Sequence, residues 1–252
     1  MSSFGPDPTK GDRLPKEDWE SVAKKKIYFG HMSVGYNIID GIHDLEREGQ
    51  AKLNIVETSD PANFEKAIFA HSPIGENAYP LTKIEHFRTI LESGVGDKAD
   101  VAFFKLCYVD IEGGTDVEAL ISAYDRTIGD LQARYPKLTI TVMTAPLTAV
   151  PTGLKASLKK LLGRGQPDKA ANAKRTMFNA HLRKKYGDRV FDLAALESTL
   201  PTGERVTCGM EGRVIYALEP SYTDDGGHLN AAGRKVVAAG LLRFLAGMGA
   251  KA

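Results

Sequence analysis

Short apolar runs alternate along the chain with longer stretches in which apolar residues recur every three or four positions. Lys26-Ile-Tyr-Phe-Gly30 predicts a first strand. It leads directly into a helix with Val34, Ile38, Ile42 and Leu45 on one stripe, stopped by Gly49. Leu53–Glu57 predicts a second strand, followed by a helix through Ile84, Phe87, Ile90 and Leu91. Val101–Cys107 is apolar on both faces, as a central parallel strand should be. Thr115 with Glu118 is expected to form a capping box for a helix carrying Val117, Leu120, Ile121, Tyr124, Ile128 and Leu131. Leu138–Met143 predicts a fourth strand. A helix from about Ala171 to Tyr186, a short strand at Arg189–Leu193 and a final helix with Val237, Leu241, Phe244 and Leu245 complete the order.

Two stretches break this rhythm. Residues 1–22 are punctuated by Gly5, Pro6, Pro8, Gly11 and Pro15 and predict a polar N-terminal arm. Residues 23–252 are then expected to form a single domain, with a surface excursion at about 146–169 that is rich in Pro, Gly and Lys. Strands alternating with helices imply right-handed crossovers and a mostly parallel, five-stranded sheet covered on both faces, an α/β/α sandwich of three layers. Ligands of such open sheets bind outside the carboxyl ends of the strands. Ser33, Cys107–Asp110 and Thr144–Pro146 all follow strand ends and should converge on one rim.

Composition narrows the choice of partner. A formal charge of +1 over 252 residues gives no support for nucleic acid or an acidic membrane surface. No apolar run approaches the roughly 20 residues of a membrane span. The N-terminus as written carries no secretory signal, so a soluble cytoplasmic protein is expected, or a secreted or periplasmic one where a leader has been removed. The two cysteines do not suggest a bridge, and Cys107, inside an apolar run, is expected to be buried. No histidine–carboxylate cluster has metal-ligand spacing, so neither metal nor other cofactor is expected. His43, His86 and His181 fall within predicted helices as surface or packing residues, whereas His31 and His71 lie near the rim.

Gly30-His-Met-Ser33-Val-Gly35 joins the first strand to the first helix. A serine there has its hydroxyl at the rim and its N–H at a helix N-terminus, where unpaired donors favour developing negative charge. The plainer alternative is a helix N-cap. Near the other end, Asp225-Gly-Gly-His228 precedes the final helix, which Asn230 is suited to cap. A serine needs a base, and the base needs a carboxylate to fix its tautomer. Asp225 is the better spaced acid, with Asp224 also available.

A serine after the first strand, paired with Asp-x-x-His before the last helix, resembles the SGNH (GDSL-like) hydrolases. Phe29-Gly-His-Met-Ser-Val-Gly-Tyr-Asn-Ile38 is similar to the first block of a divergent bacterial branch with Gly-His-x-Ser, and Asp225-Gly-Gly-His-Leu-Asn-x-x-Gly233 to the last block. The resemblance implies a flavodoxin-like fold and a serine esterase with Ser33 as nucleophile, His228 as base and Asp225 as its partner. It implies short O-acyl substrates, such as acetyl on a carbohydrate. An O-acyltransferase acting on glycans, or a catalytically weak glycan binder, is the alternative. Oxyanion or substrate contacts are expected from Gly75, Asn77, His31 and Asp110. The family's third-block asparagine falls at Val109, which offers no side-chain donor.

Overall fold

The computed structural model describes residues 14–48, 51–150, 167–210 and 212–248. Its centre is a five-stranded sheet formed by β1 (Lys26–His31), β2 (Ile55–Glu57), β3 (Ile68–Pro73), β4 (Val101–Phe104) and β5 (Thr139–Ile140). The strand order is β2-β3-β1-β4-β5, and every pairing is parallel. A second parallel pair, β6 (Val142–Met143) with β7 (Val190–Phe191), extends from β5, and β8 (Thr207–Met210) with β9 (Arg213–Tyr216) forms an antiparallel hairpin. This is the expected flavodoxin-like α/β architecture.

Alternation along the strands builds two cores, because successive side chains leave opposite faces of the sheet. Tyr28, Ala70, Ala102 and Phe104 pack on one face with Ile84 and Phe87 of α3 (Pro80–Ile90), Leu120 and Tyr124 of α4 (Val117–Arg134) and Phe178 of α5 (Pro167–Tyr186). Ile27, Phe29, Phe69 and Phe103 pack on the other with Trp19 of α1 (Lys16–Val22), Ile38 and Leu45 of α2 (Val34–Arg47), Leu193 of α6 (Leu193–Glu197) and Val237 and Leu241 of α7 (Ala231–Gly247). Full burial of each Phe, Leu, Ile or Val side chain among these contributes about 1.5–3 kcal/mol. Helix α2 lies so close to α7 that a Cβ at Gly41 would sit 2.3 Å from the carbonyl oxygen of Arg234. Arg234 in turn donates to Asp44 across the same contact at 2.6 Å. The helices carrying the two ends of the candidate site are thereby fixed against each other.

The structure corrects several sequence expectations. The strand β3, between β2 and β1, was not anticipated, and neither was the β8–β9 hairpin. The single strand expected over Leu138–Met143 changes partner at Thr141, from β4 to β7. The helix α4 is capped by Asp116, whose carboxylate accepts from Ala119 N at 3.0 Å, while Thr115 closes the preceding turn by accepting from Glu112 N. Of the expected polar arm, residues 1–13 lie outside the described residues. Residues 16–22 are helical, with Trp19 and Val22 buried and Ser21 Oγ donating to Ala246 O. Their apolar face is two residues wide, too little to stand out among Lys16, Glu17, Asp18 and Glu20. The expected excursion starts later than Pro146, since residues 145–148 are buried, and α5 begins at Pro167; residues 151–166 lie outside the described residues. No helix among the described residues is long and apolar enough to cross a membrane.

Candidate active site

At the carboxyl end of β1 the chain must turn sharply into α2, and Ser33 makes that turn at φ 52° and ψ −112°. A non-glycine residue there carries about 1–3 kcal/mol of strain, which surrounding contacts must hold in place. Gly35 N donates to Met32 O and Tyr36 N to Ser33 O, closing the turn. The His31 ring fills the space beneath, so that a Cβ at Gly35 would lie 2.3 Å from His31 Cγ. The Ser33 hydroxyl makes no capping bond to the helix. It meets His228 Nε2 at 2.6 Å instead.

His228 Nδ1 is 2.6 Å from Asp225 Oδ2. The other carboxylate oxygen accepts from Gly227 N and His228 N, both at 2.8 Å. Partial burial opposes ionisation of Asp225, but those two N–H bonds and the histidine outweigh it and hold the carboxyl well below the usual carboxylate range. Asp224, the alternative acid, lies against the Asn230 side chain at 3.3 Å. Asn230 caps α7 by accepting from Ala232 N and Gly233 N. Two further bonds tie this loop down, from Leu229 N to Asn37 Oδ1 on α2 and from Ala149 N to Gly226 O. The His228 side chain is 42% exposed and opens to solvent.

Of the other expected contacts, only Asn77 is exposed at the rim. Gly75 donates its N–H to His86 Nδ1 at 3.0 Å, which takes that donor away from an oxyanion. His31 is fully buried, bonded to His71 at 3.0 Å and edge-on to Tyr36, so it supports the turn from below. Burial, with His71 and Lys105 nearby, pulls His31 down to about 2, which keeps it neutral. Asp110 is buried in an ion pair with Lys83 and faces inward. Both cysteines are free, and Cys107 is buried as expected. His43 and His181 pair with Glu46 and Asp125.

Two residues of the site escaped sequence reasoning. Tyr108 sets its ring edge-on to His228, with centroids 5.6 Å apart, and crowds Gly227 so closely that a Cβ there would lie 2.8 Å from the ring. Arg175 is buried in α5 and donates to Tyr108 O at 2.7 Å, to Ile111 O and to Thr148 Oγ1. Burial pulls its guanidinium down to about 10, still charged near neutrality. Tyr108 lies in the block singled out from sequence, but Arg175, in a helix rich in Lys and Arg, gives no signal of burial.

Glu197 supports the same rim from below, accepting Leu147 N two residues before Ala149. Burial pushes its carboxyl up to about 8, against the opposing pull of Leu147 N–H and Arg175. A carboxyl raised in the folded state is protonated there while the unfolded chain, near 4.5, has released its proton. Its stabilising contribution is therefore complete below about 4.5 and lost as pH rises toward 8. Urea midpoints at pH 5 and pH 8 are expected to differ less in Glu197→Gln than in wild type; an equal difference would discount this burial effect.

No family model and no curated protein matches the chain. Among solved structures it is similar to a Streptococcus pneumonia protein named for platelet activating factor, at 16% identity and TM-score 0.50, over 91% of each chain. It is also similar to the periplasmic domain of the Salmonella ser. Paratyphi A lipopolysaccharide acetyltransferase, at 15% identity and TM-score 0.46, over 85% of this chain and 81% of that one. A carbohydrate esterase family 3 protein from Talaromyces cellulolyticus shows 14% identity and TM-score 0.43, over 86% of this chain and 92% of that one. At these identities the likeness is one of fold.

Proposed function

We propose that the chain is a serine esterase acting on O-acyl esters through an acyl-enzyme. The observation that carries this reading is the unbroken line from Ser33 Oγ through His228 to Asp225, with 2.6 Å at each link. Ser33 Oγ attacks the ester carbonyl carbon while His228 Nε2 takes its proton. Asp225 accepts from His228 Nδ1 and stabilises the imidazolium. The tetrahedral intermediate collapses, and the alcohol leaves with the proton held by His228. Water then gives a proton to His228, attacks the acyl carbon and releases the acid and a regenerated Ser33. The Ser33 N–H, which has no acceptor among the described residues, and the exposed Asn77 side chain are the oxyanion donors.

The resemblance of the two end blocks to the SGNH hydrolases supports a short acyl group, with acetyl on a carbohydrate as the substrate class. Tyr79, 62% exposed beside Asn77, offers a ring face of the kind sugars stack against. Transfer to a glycan hydroxyl uses the same steps with that hydroxyl in place of water. Product analysis with and without glycan acceptors separates the two. The reading itself is tested by an alkyl fluorophosphonate, with intact mass followed by peptide mapping. A single adduct on Ser33, formed at least 10²-fold more slowly in His228→Ala, is the expected result. Labelling elsewhere, or at an unchanged rate in the variant, would remove the basis for this function.

A further inference from the structure

Lys83 and Asp110 form an ion pair in which both side chains are fully buried, with Nζ 2.6 Å from Oδ2. A buried pair of this kind adds little stability that well-packed apolar side chains would not supply, so its use lies elsewhere. Resting on the esterase reading of Ser33, we propose that Lys83 and Asp110 are positioning residues that aim the Asn77 amide at the oxyanion, in place of the donor missing at Val109.

The orientation of Asn77 follows from chemistry. An ammonium group has three donors and no acceptor, so only the oxygen of a side-chain amide can face it. Lys83 Nζ donates to Asn77 Oδ1 at 2.9 Å. The planar amide then directs its NH2 group away from the buried lysine, to the exposed side of the loop. No bond among the described residues occupies that NH2. Asp110 fixes the other side of the arrangement. It holds Lys83 with one oxygen, accepts Cys107 N with the same oxygen at 2.6 Å, and accepts Ala78 N with the other at 2.9 Å. Ala78 stands at φ 68°, and it and Ser33 are the two non-glycine residues with positive φ among those described.

These contacts stitch the Asn77 loop to the nucleophile turn. Ile74 N donates to His31 O at 3.1 Å, placing the start of the loop beside the residue two positions before Ser33. Cys107 Sγ lies 3.6 Å from Met32 O, one residue before Ser33. The three strand-end turns therefore share one frame, with Lys83, Asp110 and the nearby Lys105 buried within it. An amide held this way needs no reorientation when charge develops on the substrate oxygen.

The test is steady-state hydrolysis of p-nitrophenyl acetate by the full chain, with Ser33→Ala as the blank. Asn77→Ala is expected to lower kcat by about 10²-fold with KM within about twofold. Asn77→Asp keeps an oxygen for Lys83 but loses the N–H donors and adds negative charge, so it is expected to fall below Asn77→Ala. A link that serves only the fold would make Asn77→Asp the better of the two, which would overturn the proposal. Lys83→Met is expected to match Asn77→Ala in kcat and to cost nothing further in the Asn77→Ala background. Additive losses would overturn the role of Lys83. If wild type shows no turnover above the Ser33→Ala blank, the esterase reading fails first. The Asn77 side-chain amide resonances then report positioning alone: lines narrowed and shifted toward free-asparagine values in Lys83→Met support it, and unchanged spectra refute it.

Discussion

Ser33→Ala is expected to lower kcat/KM for p-nitrophenyl acetate by about 10³-fold or more while leaving the unfolding midpoint within a few degrees of wild type. The two halves of this expectation have separate causes. Without the hydroxyl there is no acyl-enzyme, and His228 has no proton to take. Alanine at φ 52° keeps the same backbone strain that serine carries, so the fold loses little beyond one partly exposed hydrogen bond. Ser33→Gly refines the point. It should be as inactive as Ser33→Ala and at least as stable as wild type, because glycine adopts this conformation without a Cβ penalty. Activity within tenfold of wild type in either variant would mean that the serine is a structural turn residue and no nucleophile.

Asp225→Asn should cost about 10³-fold in kcat, with the side chain in nearly the same place. Gly227 N and His228 N both point at one oxygen of Asp225. An asparagine must keep its own oxygen there, which turns its NH2 toward His228 Nδ1. That nitrogen then has to accept, so the ring proton moves to Nε2 and faces Ser33 as a donor where a base is needed. The substitution also removes a carboxylate held below the usual range. Such a group contributes stability above its ordinary value of 3.8 and loses it as pH falls, so Asp225→Asn should be the less stable protein at pH 7. The gap should close on acidification. Turnover in the variant near that of wild type would show that His228 needs no partner to set its tautomer.

The parts of the molecule that followed simple periodicity were legible in the sequence. β1, β4 and α2 carry continuous or one-striped apolar patterns, with the first block of the site where β1 meets α2 and the last in the loop just before α7. Strand β3 was hidden because His71 and Ser72 lie in its middle; both are buried, in contacts with His31 and Tyr28 that no local pattern announces. Asp110 was expected to contact substrate from the resemblance of Cys107–Asp110 to the family's third block, whereas the structure buries it. Its compensating charge, Lys83, is 27 residues away on the preceding helix, where a lysine ordinarily signals solvent. Gly75 was chosen as a donor from its place after a strand. Its N–H is spent on His86, which the sequence placed merely on a helix.

Ser33 and His228 are separated by 195 residues, yet they share one hydrogen bond. During synthesis the serine emerges with the first strand of the sheet, long before any base exists for it. The histidine loop is tied to α2 by the Leu229 N–Asn37 Oδ1 bond, and α7 behind it packs on α2 through Gly41 and the Arg234–Asp44 contact. On the esterase reading, a nascent or partly assembled chain would carry an inert alcohol, with ester cleavage silent until both ends of the domain have docked. Turnover in a cell lysate would then count completed molecules, leaving out those stalled on the ribosome or clipped before the last helix.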